Sequence, residues 1–160
     1  MVADKCLTDH FRLYELTQTS WAQYQEKNRD VNELQINKLT QVAKLLEHVR
    51  FVLGVPIRVT SGYRCPDLNK AVGSTERSQH LLCEAADIIP GEIDMDEAFR
   101  ILWRDIKDTG TNVGQLIDER AVRPYGVSRW IHISLGTPYR EADRCKQILR
   151  MENGKYTRLA

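Results

Sequence analysis

The stretch Ser78–Asp87, S-Q-H-L-L-C-E-A-A-D, sets a histidine and a carboxylate seven residues apart. Asp87 sits inside Ala-Ala-Asp-Ile-Ile, a short apolar run that reads as a buried strand. A second histidine, His132, lies in Trp-Ile-His-Ile-Ser, which alternates like another strand. Together His80, Asp87 and His132 offer two imidazoles and one carboxylate, a ligand set suited to catalytic zinc with a fourth position left for water. The spacing then constrains the chain. On one helix, residues 80 and 87 would stand about 10 Å apart along the axis. On one straight strand, an odd separation would turn them to opposite faces. Donors at about 2 Å from a tetrahedral ion must converge more closely than that. A turn after His80 is therefore expected, returning Asp87 beside it on the next strand.

The elements that must position these residues can be read in order. Phe11-Arg-Leu-Tyr-Glu-Leu alternates and predicts a short strand with Phe11 and Leu13 on one face. Thr17, Thr19 or Ser20 can cap a helix from about Trp21, soon interrupted by Asn28 and Asp30. Val31, Leu34, Leu39, Val42, Leu45, Leu46, Val49 and Leu53 recur at mostly three- and four-residue steps, giving a core-facing helix over 31–53. Gly54 fits just past its end, with Pro56 as a stop. His48 lies off this stripe and His10 precedes it, and both are read as exposed. Pro56–Thr60 predicts a strand ending in the Ser61-Gly62-Tyr63-Arg64 turn. Pro66 opens a short helix with Leu68, Ala71 and Val72 as its apolar side and Gly73 at its end.

Beyond Asp87, Pro90-Gly91 marks a turn. Asp94 or Asp96 caps a helix to about Lys107 that buries Ala98, Ile101, Leu102 and Trp103. Val113–Glu119 predicts a strand, 120–129 a basic loop, and Trp130–Leu135 the His132 strand. In that strand Trp130, His132 and Ser134 share one face, and Ile131, Ile133 and Leu135 the other. Past Tyr139 the chain reads first as charged helix, then as a hairpin at Asn153-Gly154 without chemistry of its own.

The bulk numbers exclude several classes. The 160 residues suit a single domain over 1–160, expected to be a monomer, and 42 % apolar with 28 % charged residues is ordinary for a globular chain. A net charge of +1 predicts no nucleic-acid footprint. No run of 18 apolar residues predicts a membrane span. The first residues lack the apolar core of a secretory signal, so synthesis in the cytoplasm is expected, with any action on a cell wall following phage lysis or another release. Cys6, Cys65, Cys83 and Cys145 form no C-x-x-C pair and are read as reduced, buried or partly buried thiols. Cys83, three residues after His80, is the one thiol placed to compete for a metal.

S-G-Y-R at 61–64, L-N-x-A-V-G at 68–73, S-Q-H at 78–80, A-A-D-I at 85–88 and W-I-H-I-S at 130–134 occur in one order. In these blocks the chain resembles the zinc D-Ala-D-Ala carboxypeptidase family, over roughly residues 8 to 135. That family shares its fold with the hedgehog signalling domain. Its members cleave peptidoglycan stem peptides, and phage-borne relatives serve as wall-lytic enzymes. The resemblance implies an α+β, hedgehog/DD-peptidase-like domain, with a small, mainly antiparallel sheet and flanking helices. It implies Zn2+ on His80, Asp87 and His132, with a peptidoglycan stem peptide as the partner.

The family positions also imply roles for Arg64 and Ser78. Arg64 would anchor a substrate carboxylate or the developing oxyanion with its fork of donors, rather than tie its own loop together. Ser78 would bind substrate or orient the metal shell, although a turn-forming serine is the alternative. Two departures stand out. In several relatives the acid that takes the water proton lies three residues before the final histidine, where this chain has Arg129, which cannot be a base. A branch of the family carries a glutamate in a Gln-Leu-Ile-x-Glu context, which makes Glu119 the candidate base here, ahead of Asp118 and Glu84. The second departure is Cys83 in place of the usual glycine, a strained choice if the turn needs a positive φ. Arg129 also opens an alternative: a zinc-retaining, non-catalytic wall- or protein-binding module.

Overall fold

A computed structural model describes residues 3–138 and 146–160. The helix expected just past Tyr139, and Cys145, lie outside the described residues. The elements form a mixed α+β arrangement whose six strands run in the order β1-β2-β4-β3-β5-β6 within one sheet. Contacts within the chain gather into two compact units: residues up to His48 with Val59–Ala86, and Val49–Arg58 with Asp87–Ala160.

In the first unit, the segment expected to be a strand is instead a single bridge, Cys6 to Arg12, followed by helix α1, Leu13–Thr17. Phe11 and Leu13 are buried as the alternation requires, but Leu16 and Thr17 are buried too, and 13, 16 and 17 share a face only in a helix. A 3-10 turn at Ala22–Tyr24 and the short helix α2, Gln25–Arg29, replace the helix expected from Trp21. Helix α3 covers Glu33–Leu53. Asn32 Oδ1 accepts the Gln35 N–H and Gln35 Oε1 accepts the Asn32 N–H, both at 2.9 Å, a reciprocal cap at the helix start. The expected stripe is buried except Leu34, which is 69 % exposed, and Ile36 takes its place. Gly54 closes the helix with φ +67°. Strand β1, Ile57–Ser61, leads to helix α4, Pro66–Ala71. There Leu68 and Asn69 are buried while Ala71 and Val72 face solvent, a correction to the predicted apolar side. Of the described cysteines, Cys65 and Cys83 are buried and Cys6 is exposed, contrary to expectation, receiving a hydrogen bond from Arg12 Nη1 at 3.2 Å.

In the second unit, strand β2, Ala85–Pro90, precedes helix α5, Met95–Thr109. Asp94 caps α5 by accepting the N–H groups of Asp96 and Glu97, each at 3.0 Å. Ala98, Phe99, Leu102 and Ile106 are buried, whereas Ile101 and Trp103 are only half-buried. Strand β3, Val113–Arg123, and strand β4, Gly126–Leu135, pair antiparallel through to Arg123↔Gly126. The predicted basic loop 120–129 is thus mostly ladder. The reason lies on one face of it. Asp118 is wholly buried, and its carboxylate receives Arg129 Nε at 2.8 Å and Nη2 at 3.0 Å, Arg120 Nη2 at 3.1 Å and Arg150 Nε at 3.0 Å. Asp96 on α5 binds Arg129 and Arg120 as well. With acidic partners in place, the arginines do not force the strands apart. Strand β5, Gln147–Glu152, runs parallel to β3, and β6, Lys155–Arg158, returns antiparallel through the Asn153-Gly154 turn, both residues with positive φ. No described helix is long and apolar enough to cross a membrane.

Burial opposes the charge of Asp118, but hydrogen bonds from Arg129, Arg120 and Arg150 outweigh it and hold the carboxyl below its ordinary range. A depressed folded pKa means stability present above the unfolded value, about 3.9, and lost as pH falls through the folded one. Asp118→Asn should therefore cost about 3 kcal/mol at pH 7, the arginines being partly solvated, and the gap to wild type should close in acid. Urea midpoints of the two proteins at pH 7 and pH 3 check this; equal midpoints at pH 7 would sink it.

Candidate metal centre

The site begins with a close approach of two backbones. At Gly62 an added Cβ would lie 2.3 Å from the Leu16 carbonyl oxygen, so only glycine fits. The next N–H, of Tyr63, donates to that same carbonyl at 2.7 Å. Asn28 completes the clamp from inside. Its Nδ2 donates to the carbonyls of Thr17 at 2.7 Å and Tyr63 at 2.9 Å, and its Oδ1 accepts the Cys65 N–H at 2.7 Å. This wholly buried amide is a residue that pattern reading treated only as a helix breaker.

The loop so held presents the Gly62 carbonyl to His80 Nδ1 at 2.7 Å. A carbonyl can only accept, so Nδ1 carries the proton and Nε2 is the ring nitrogen able to bind a metal. The Arg64 N–H donates to the His80 carbonyl at 3.2 Å, fixing the backbone as well. The predicted turn follows over 79–83, closed by Cys83 N–H to the His80 carbonyl at 3.3 Å and Glu84 N–H to the Gln79 carbonyl at 2.9 Å. Cys83 has φ +59°, so the turn does need the left-handed conformation, and cysteine bears that strain. Burial pushes its thiol up to about 12, and Cys83 is not among the residues whose ligand atoms converge. Glu84 is engaged by Lys38 at 3.2 Å.

Strand β2 carries Asp87 and strand β4 carries His132, whose Nδ1 lies 2.9 Å from Asp87 Oδ1. One ligand atom from each of His80, Asp87 and His132 falls within 4.8 Å of the others, and all three residues are buried, at 4, 6 and 6 % exposure. The donor chemistry, two imidazoles and a carboxylate, fits a divalent metal.

The same sequence pattern is that of a known family: residues 9–134 match Peptidase M15. The chain belongs to the peptidase M15 family. No curated protein matches it in sequence. M15 peptidases are zinc-dependent, and the His-Asp-His set is where this member could hold its metal.

Sheet register locates the remaining candidates in this M15 chain. Ile117 pairs with His132 and Glu119 with Trp130, so Glu119 lies on the face that carries His132, as its diagonal neighbour at roughly 7–8 Å. Asp118, Arg120 and Arg129 alternate to the opposite face. Arg129 therefore does not occupy the metal side at all: it is held by Asp118 and Asp96. Arg64 donates from Nε to Ser61 Oγ at 3.0 Å, so at least one of its donors does tie its own loop. Ser78 is half-buried in the turn before His80, its N–H on the Thr75 carbonyl and its carbonyl accepting the Leu82 N–H. His10 is exposed and pairs with Glu47 at 2.8 Å, and His48 is half-buried; neither joins the metal set.

Because the Gly62 carbonyl orients a ligand, Gly62→Ala should weaken metal binding about 10–100-fold as well as lower stability. His80→Ala should abolish stoichiometric binding, while Cys83→Ala should leave it unchanged. Elemental mass spectrometry, with chelator competition for affinities, distinguishes the three; a Gly62→Ala protein with wild-type affinity would show the carbonyl to be irrelevant.

Proposed function

We propose that this protein is a zinc metallopeptidase of the hedgehog/DD-peptidase fold that hydrolyses peptide bonds in peptidoglycan stem peptides, as a D-Ala-D-Ala carboxypeptidase or an endopeptidase. The observation that carries the reading is the buried convergence of His80, Asp87 and His132. The five sequence blocks supply the substrate class. A phage-derived lytic role, reached after release from the cytoplasm, is part of the same proposal.

Bound zinc supplies a Lewis acid for the scissile carbonyl and lowers the pKa of water. Glu119, on the His132 face, takes a proton from the attacking water and delivers it to the amine nitrogen as the C–N bond breaks. The proton is conserved across the step, and Glu119 ends ionised as it began. Arg64 has five N–H donors, one of them directed to Ser61, and anchors the substrate carboxylate through its guanidinium edge. Ser78, two residues before the first ligand, contributes a hydroxyl to substrate or to the ligand shell. The alternative of a zinc-retaining binding module drew on Arg129 at the usual acid position. With Arg129 on the far face and Glu119 on the near one, that ground is weaker.

Glu119→Gln should lower cleavage of purified stem peptides by about 100-fold or more with zinc content intact. Arg64→Ala should act mainly through KM. Chromatography of digests beside metal analysis checks both. Intact peptides in the presence of stoichiometric zinc in the wild type would favour the binding module.

A further inference from the structure

The C-terminal hairpin, β5 and β6, lies beyond the residues matched to the family, and no role for it follows from membership. Register nevertheless ties it to the site. Glu119 pairs with Trp130 on one side and Met151 on the other, and Met151 pairs with Tyr156. Directly paired residues share a face, so Trp130, Glu119, Met151 and Tyr156 form one row across β4, β3, β5 and β6. The His132 row lies two residues along the same face. Strands stand about 4.8 Å apart, which puts the Tyr156 backbone about 10 Å from that of Glu119, a gap two long side chains span above Met151.

Two further observations give direction. Partial burial, then the charges of Glu119 and Asp87, raise the pKa of Tyr156. Both charges act on it from the face on which its pairing with Met151 places it. Yet Tyr156 remains 60 % exposed, an aromatic side chain open to a ligand. The Trp130 indole N–H is buried without a hydrogen-bond partner among the described residues, a second donor on this row. The Asn153-Gly154 turn, with φ +49° and +79°, is a tight hairpin turn that limits how far β6 can shift against β5.

We propose that Tyr156 is a substrate-binding residue, its hydroxyl donating to a backbone carbonyl of a peptide laid across the Glu119 row and its ring walling that end of the site. This deepens the peptidase reading and rests on it. The chemistry suits the position: Glu119, in the same row, is an acceptor, and a peptide crossing it presents carbonyls that need a donor. Tyr156 acts on the ground state and the transition state alike, so it raises affinity more than turnover.

The test compares zinc-loaded wild type, Tyr156→Phe and Tyr156→Ala in binding two metal-directed probes, acetohydroxamate and a dipeptide hydroxamate, by calorimetry. Expected is about a tenfold loss for the dipeptide probe in Tyr156→Phe, more in Tyr156→Ala, with acetohydroxamate and zinc content unchanged. In stem-peptide cleavage the same variants raise KM and leave kcat near wild type. Variants that bind both probes as wild type does overturn the proposal, as does an equal loss for both probes, which would indicate a damaged metal site. A wild type that binds the dipeptide probe in a Tyr156-dependent way but leaves stem peptides intact retains Tyr156 and removes the wall substrate. Neither probe binding to wild type removes the metal centre and the proposal together.

Discussion

The hydrogen bond from His80 Nδ1 to the Gly62 carbonyl is the interaction on which the site depends. It leaves Nε2 as the ring nitrogen able to bind a metal, a choice that a histidine in an unstructured turn leaves open. The carbonyl can be there only because Gly62 passes within contact of Leu16, and it stays there because Asn28 pins the chain on both sides. A glycine that looks like a turn residue is, in this chain, an admission to close backbone packing. The S-G-Y-R block owes its place beside the first ligand to those contacts and not to its own turn preference.

A second constraint is the two-residue period of β3 and β4. It separates two charged systems that adjoin in sequence. Glu119 and His132 fall on one face; Asp118, Arg120 and Arg129 fall on the other. A one-residue slip in register would exchange them, placing arginines against the metal ligands and a glutamate among the arginines. The buried Asp118 opposes such a slip, because its two oxygens are satisfied by three arginines only in this register. The ionic cluster lies on the face opposite His132 and Glu119 and helps fix the register that separates the two systems.

How much of this was legible in the sequence depended on the range of the forces involved. The α3 stripe, the turn after His80, the parity of β4 and the Asn153-Gly154 turn are local or periodic, and the residue pattern exposes them. What escaped depended on partners far along the chain. Asn28 looks like a helix breaker until Thr17, Tyr63 and Cys65 surround it. Residues 120–129 look like a basic loop until Asp96 and Asp118 neutralise them. Phe11 and Leu13 alternate like a strand, yet Leu16 and Thr17 are buried as well, so a helical turn wins. Of the candidate site, the convergence of His80, Asp87 and His132 and the face of Glu119 were readable from spacing, parity and family order. The place of Tyr156 was not, because it follows from the parallel pairing of β5 with β3, which no local signal announces.

The charges on the metal face form a consistent set. Burying Asp87 to 6 % exposure is costly for an anion. A divalent cation reverses that cost, since Asp87 then meets a full opposite charge. One carboxylate leaves such an ion with a formal +1, which a single further carboxylate on the same face balances, and Glu119 is the glutamate that register puts there. Arg129 in that place would add positive charge to positive charge. On the Asp118 face Arg129 is instead held charged by two carboxylates, which outweigh the opposing effect of burial. The strand thus turns Arg129 to the face opposite His132 and leaves Glu119, on the neighbouring strand, on the His132 face.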